Sequence, residues 1–289
     1  MARGGLLLIG LVVFIAGCPP QHGQAPASRR EALDRVNTNL GKIRDPLQCS
    51  ALASFRFRDS KGTDRRFIGH EARLIFQNPQ SLLFDVRSLA GVIAQFGSNS
   101  ERYWVWIDPE IRKLWWGHWD RVRQDTPHAL PIPPDDLLDA LMLRSLPATL
   151  EGGQLPVLRK LDHDHRLLFV RLGHDGQPSG LREIHLDSCE PYQPREIIDW
   201  LPDGEMAMHA LLSNYRRVGS GGPYTPRRYV VYWPLSQAEM RLDILRATWR
   251  PDLPAEVFEF PVGWEGDIER VDAPLPENAR SSSDGMGRP

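Results

Sequence analysis

The chain has 289 residues, of which 41% are hydrophobic and 25% charged, with 35 basic and 37 acidic side chains. This balance excludes a wholly disordered, collagen-like or polytopic membrane protein. A net charge of −2 with a pI near 6.5 gives no bias toward nucleic acid, and three cysteines are too few for a disulfide scaffold.

Residues 1–17 read MARGGLLLIGLVVFIAG, with Arg3 as a short positive start and an apolar core from Leu6 to Ile15. A spanning helix needs roughly 20 apolar residues, so this stretch has the length of a signal peptide instead. It ends in Ile15-Ala16-Gly17-Cys18, which resembles the lipobox of bacterial lipoproteins. That resemblance implies cleavage before Cys18, a diacylglycerol thioether on its sulfur and an acyl chain on its nitrogen. Two or more chains anchor a protein stably, where one does so marginally. Pro19 follows, not the Asp that retains lipoproteins at the inner membrane in enteric bacteria. The implied location is therefore the outer membrane, facing the periplasm. A plain secretory signal followed by a chance Cys is the simpler alternative.

Residues 18–30 form a polar, Pro-containing tether. Ser28 and Glu31 are spaced as a capping box, and Leu33, Val36, Leu40 and Ile43 keep helical spacing until Pro46. A helix is expected over about 30–44. After Cys49 the period changes to two. Strands are expected through Ala51–Phe57 and at 66–76, 81–88, 91–97, 102–107 and 111–119, with turns at Asn78-Pro79, 97–100 and Asp108-Pro109. Pro131, Pro133 and Pro134 introduce Asp135-Asp136 and the apolar run Leu137–Leu143, a short second helix with acids at its start. Further strands are expected at 155–161, 166–172, 181–187, 194–200, 205–217, 227–233, 240–246 and 256–260. Residues 273–289 read as a disordered tail. About a dozen strands with two helices indicate a β-rich α+β domain over 31–272. The expected form is a single curved antiparallel sheet making a half-open β-barrel with covering helices.

Enzyme signatures are absent: no G-x-S-x-G, no Walker A loop and no C-x-x-C occur, and His70-Glu71 is followed by Leu74 where a zinc protease needs His. No catalytic residue, cofactor or metal is expected. Asp162-His163-Asp164-His165 is the best polar cluster. It reads as a hairpin tip, with a metal site that adds His185 as the rival reading. Gly219–Gly222 reads as a flexible loop, and the Arg pairs at 29–30, 65–66, 216–217 and 227–228 as solvated faces. Met206 and Met208 read as core. For Cys49 and Cys189, 140 positions apart, the sequence leaves open a disulfide worth about 3–5 kcal/mol in loop entropy or two buried thiols.

Nine Trp are present, and five of them lie between Trp104 and Trp119. Residues 103–107 are apolar on both sides of the strand, so both faces need cover. These rings either fill a core or line an apolar cavity for acyl chains.

The order of motifs is similar to that of the periplasmic lipoprotein carrier and receptor superfamily, the LolA/LolB-like proteins. The matching features are the lipobox, the tether, the capped helix, strand Ala51–Phe57, a Gly69-led strand to Phe76, Asn78-Pro79, and a strand to Val86. Ser98-Asn99-Ser100-Glu101-Arg102-Tyr103-Trp104-Val105-Trp106 then runs into Ile107-Asp108-Pro109. The match spans roughly residues 30–120. It implies a half-open barrel around a hydrophobic cavity that holds lipid or lipoprotein acyl chains without covalent chemistry. Phe55, Phe57, Phe76, Phe84, Trp104, Trp106 and Trp116 are the cavity candidates. One departure is Gln77-Asn78-Pro79, where the soluble carrier has Lys-Arg-Pro. Together with the anchor, it favours receiving or sensing over shuttling. The rival reading is a non-catalytic envelope scaffold or stress sensor that works through the outside of its sheet.

Overall fold

A computed structural model describes residues 26, 28–58, 62–107, 111–119, 132, 134–150, 155–161, 164–172, 177–188, 191–264 and 266–272. The signal segment, Cys18, most of the tether, His163, Cys189 and the 273–289 tail lie outside the described residues.

Helix α1 (Arg29–Leu40) starts where the Ser28 hydroxyl accepts the Glu31 N–H at 3.2 Å, as the capping box requires. It buries Ala32, Leu33, Val36 and Leu40. It ends short of the expected 44 because the chain leaves the helix at Gly41. A tight turn, Ile43 N–H to Leu40 C=O, still buries Ile43. Helix α2 (Pro134–Ala140) starts and ends three residues before the apolar run read from the sequence, so Leu141, Met142 and Leu143 are buried in the loop after it.

Among the described residues the sheet has fourteen strands. In chain order the first six are β1 (Leu47–Arg58), β2 (Asp64–Gln77), β3 (Ser81–Ser88), β4 (Gly91–Ser98), β5 (Arg102–Ile107) and β6 (Lys113–His118). After α2 come β7 (Val157–Lys160), β8 (His165–Leu172), β9 (Pro178–Leu186), β10 (Pro194–Trp200) and β11 (Met206–Ser213). A two-stranded ribbon, β12 (Arg216–Arg217) and β13 (Tyr224–Thr225), precedes β14 (Arg228–Trp233), β15 (Ala238–Trp249) and β16 (Asp267–Arg270). The order is β16-β6-β5-β4-β3-β2-β1-β15-β14-β11-β10-β9-β8-β7. Two meanders thus meet where β1 pairs with β15.

All pairs are antiparallel except β16 with β6, so the expectation of a purely antiparallel sheet is corrected at that edge. Three other details differ from the sequence reading. The expected strand 205–217 breaks at Asn214 (φ 57) into β11 and β12. Residues 255–258 form a 3-10 turn, not a strand. Gly69 (φ 65) does not open β2 but sits inside it at a register shift against β1, where its N–H bonds Ser54 Oγ.

Among the described residues the sheet is open, since β16 and β7 do not pair, and it is strongly curved. Helix α2 touches both β5 and β11. Those strands are seven spacings apart in the sheet, about 33 Å if it were flat, which one helix about 10 Å wide cannot bridge. Only a sheet curled around α2 brings both to it. The concave face buries Phe55, Phe76, Phe84, Phe96, Val105, Ile184, Ile197, Met208, Ala210, Val231, Met240 and Leu242. Apolar residues of α1, α2 and the loop after α2 pack onto them in the same cluster.

The convex face of β2–β6 is also covered, by residues 253–264 on their way from β15 to β16. Ile75 and Leu83 pack with Leu253, Val257 and Phe258. The Phe260 ring centroid lies 5.7 Å from that of Trp104 and 5.8 Å from that of Trp116, and Trp264 lies 4.4 Å from Trp106. Both faces of residues 103–107 therefore have cover, one of helices and one of a C-terminal strap.

Candidate functional site: the α2 lid and its cleft

The seven expected cavity residues divide between the two faces. Phe55, Phe57, Phe76 and Phe84 are on the concave face, and Phe55, Phe57 and Phe84 pack against other rings. Phe55, Phe84 and Phe96 form a triangle with centroids 5.7–5.9 Å apart, and Phe57 stacks on Phe67 at 6.1 Å. Trp104, Trp106 and Trp116 are on the convex face under the strap, which corrects their assignment to the barrel interior. Period-two alternation puts Val105 and Trp115 inside, and so puts Trp104, Trp106 and Trp116 outside. The Trp104 indole donates to Gln95 Oε1 at 3.0 Å, Gln95 donates to Asp85 at 2.9 Å, and Arg73 closes the chain on the buried Asp85.

The open space lies elsewhere. A cleft of about 300 Å³ separates α2 and the loop after it from β9 and β10. Met142, Leu146, Pro147, Ile184 and Ile197 supply its apolar walls, and Asp139, Arg144, Ser145 and Arg182 its polar ones. Ligand sites typically begin near this volume and combine apolar walls with a few fixed polar groups. A second, apolar crevice of about 30 Å³ lies between α1, Tyr192, Tyr215, Tyr224 and Tyr229. It has room for about one water-sized group.

The polar wall is a latch between lid and sheet. Arg182 of β9 makes a two-pronged bond to Asp199 of β10, at 2.7 and 2.6 Å, and its remaining Nη1 donates to Asp139 of α2 at 2.6 Å. Arg144 Nε reaches the other oxygen of Asp139 at 2.7 Å. Burial opposes ionisation of Asp139, but Arg182 and Arg144 outweigh it and hold the carboxyl below its ordinary range. Asp136, one turn earlier, has the opposite fate. Burial, with Asp135 and Asp199 nearby, pushes it well above the usual carboxylate range. Helix α2 thus carries one carboxylate tied to the sheet, Asp139, and two neighbours, Asp135 and Asp136, whose carboxyls burial pushes the other way.

Residues with a chemical reading from sequence are dispersed. His165 follows the concave parity of Leu167 and Phe169, while Arg166, paired with His185, is on the convex side. The two histidines are therefore on opposite faces and cannot share a metal. Among the described residues no group of three His, Cys, Asp or Glu is arranged to hold one. His185 instead joins a convex-face ladder with Asp164 (3.2 Å) and Glu196 (3.3 Å), and His209 bonds the same Glu196 at 2.7 Å. Cys49 is a buried free thiol, which burial pushes up to about 12; its considered partner Cys189 lies outside the described residues.

The latch residues were not singled out from sequence. Their only signal was Asp135, Asp136 and Asp139 at helical spacing; Arg182 falls in the mixed run Leu181-Arg182-Glu183-Ile184-His185 and carries none.

No protein-family model matches the sequence, and no curated protein matches it. Solved structures do. The chain is similar to a putative outer membrane lipoprotein-sorting protein domain from Vibrio parahaemolyticus, with a TM-score of 0.51 at 10% identity, covering 80% of this chain and 97% of that one. It is also similar to a LolA superfamily protein from Nitrosomonas europaea, with a TM-score of 0.47 at 13% identity, covering 79% and 97%. At these identities the likeness is one of fold alone, and it is carried by the lipoprotein-sorting domain.

Proposed function

We propose that this chain is a lipoprotein, anchored through Cys18 in the outer membrane and facing the periplasm, whose 31–272 domain holds a lipid or lipoprotein acyl chain between its curved sheet and the α2 lid. The observation that supports this reading most is the apolar concave wall, which is covered by helices rather than by a second sheet and ends at the cleft beside Met142, Ile184 and Ile197. Helices can move off a sheet as units, whereas a closed barrel cannot open. An acyl chain entering at the cleft gains about 0.8 kcal/mol per buried methylene, so ten methylenes outweigh much of the cost of association. The fold likeness to a lipoprotein-sorting domain agrees with this use of the wall. The bond from Arg182 to Asp139 closes the cleft until a ligand displaces it. No catalytic step belongs to this reading.

The test is extraction of the purified full chain followed by mass spectrometry. A stoichiometric acyl lipid supports the proposal. An empty protein that binds no fluorescent fatty acid refutes it.

A second reading, an envelope interaction module without a ligand, draws on the filled interior: Phe55, Phe84 and Phe96 already occupy the space an acyl chain would take near β1–β4. It requires that variants blocking the cleft leave function intact.

A further inference from the structure

At the end of the sheet where β1 begins and β15 ends, three separate parts of the chain meet. Leu47 pairs with Trp249, and Arg250 N–H bonds Pro46 C=O at 2.9 Å. The Asn39 side chain, in the last turn of α1, exchanges two 2.8 Å hydrogen bonds with the backbone of Tyr224. In the turn between β12 and β13, a β-carbon on Gly219 or Gly222 would come within 3.7 or 3.5 Å of the Trp249 indole. The 41–46 link, the 216–225 ribbon and the end of β15 therefore form one pole.

Five basic residues stand exposed on that pole: Lys42, Arg44, Arg216, Arg217 and Arg246. None of the five forms an ion pair with a described residue. Arg228 and Arg241, on β14 and β15, behave differently and share Asp243. On the pole itself Arg250 is paired, with Asp252. Behind the rim is Arg227. Its Nε and Nη1 are buried without a partner among the described residues, and its charge is felt at the Cys49 thiol. Tyr224, under the Arg217 guanidinium at 4.8 Å, adds an amphipathic ring of the kind favoured at membrane interfaces. Asp45 is the acid on the 41–46 link.

Uncompensated like charges on a small surface raise its potential until anions approach. A row of lipid phosphates supplies many at once, and four or more clustered basic residues are the pattern that anionic leaflets attract. We propose that this pole docks on an anionic phospholipid surface. The inference is independent of the acyl-chain reading, because it concerns the outside of the pole and not the cleft.

The test places the full chain in nanodiscs of phosphatidylcholine, with or without phosphatidylglycerol, and follows hydrogen exchange at 41–46 and 214–227. Protection of both segments is expected with phosphatidylglycerol only, and it should fade at high salt. In the triple variant Arg216→Gln, Arg217→Gln, Arg246→Gln the affinity for the anionic surface should fall about fivefold per charge removed. Three outcomes would overturn the proposal: equal protection on neutral discs, protection of another surface, or the same protection by inorganic phosphate without lipid. Thermal unfolding of the variant shows that the fold is kept, and a second variant, Lys42→Gln with Arg44→Gln, repeats the test on a different segment.

Discussion

Arg182 and Asp139 join the sheet to its lid: a guanidinium nitrogen of β9 lies 2.6 Å from a carboxylate oxygen of α2, at the mouth of the cleft. Of the two acids that Arg182 holds, Asp199 belongs to the neighbouring strand and Asp139 to the helix, so the second bond is the one that lid opening must break. Asp139→Asn keeps the shape and removes the charge. We expect a loss of about 1–3 kcal/mol in stability, because Arg182 stays paired with Asp199. Stopped-flow uptake of a fluorescent fatty acid should become faster. Unchanged uptake with lowered stability would show the bond to be structural only.

The upward shift of the Asp136 carboxyl makes stability depend on pH with a definite sign. Its folded value lies above the ordinary 3.8, so the folded state binds the extra proton. That contribution is fully present below pH 3.8 and is lost as pH rises through the raised value. In Asp136→Asn the contribution does not titrate. Denaturant unfolding of both proteins across this range should therefore show the wild type losing stability relative to the variant as pH rises. A parallel pair of curves would contradict the assignment.

On the convex side, the Trp104 indole occupies the place of a β-carbon on Gly97. An added Cβ would meet its Cε2 at 2.0 Å. Gly97→Ala must push the ring into Phe260 and the strap, which we expect to cost about 1–3 kcal/mol. The matching contact on the concave side, Tyr103 over Gly117, makes Gly117→Ala a comparable probe of the other face. Urea midpoints measure both.

The first meander was readable in the sequence almost strand by strand, because period-two alternation is strong in residues such as Ala51, Ala53, Phe55 and Phe57 and the turns carry Asn78-Pro79 and Ser98-Asn99. The face on which Trp104 lies was not. Alternation separates Trp104 from Val105 but cannot say which side holds the helices, and the strap that covers Trp104 comes from about 150 positions downstream. The ribbon strands β12 and β13 hold two residues each, too short for any period. β16 runs parallel to β6, a pairing that only the return of a distant segment creates. The latch was hidden for a related reason. Asp139, Arg182 and Asp199 are ordinary surface residue types, and the curvature of the sheet is what brings them together. Two of the Arg pairs that read as solvated faces likewise send Arg216, Arg217 and Arg227 to a single pole.

Cys49 offers a check on the β1–β15 seam. Buried, with its thiol pushed up to about 12, it should not react with an aromatic disulfide reagent in the native protein. Wild type and Cys49→Ser should therefore titrate alike when folded, and differ by one thiol when denatured without reductant. If Cys49 were instead bonded to Cys189, its loss would free that partner, and the denatured variant would show one thiol more than the wild type.

The decisive comparison is fatty-acid binding by the native full chain against Ile197→Trp, which fills the cleft with an indole. If an acyl chain sits between sheet and lid, the native protein binds a fluorescent fatty acid saturably, and the variant keeps its unfolding temperature but loses the signal. Equal binding by both proteins, or none by the native one, would contradict a ligand in that cleft.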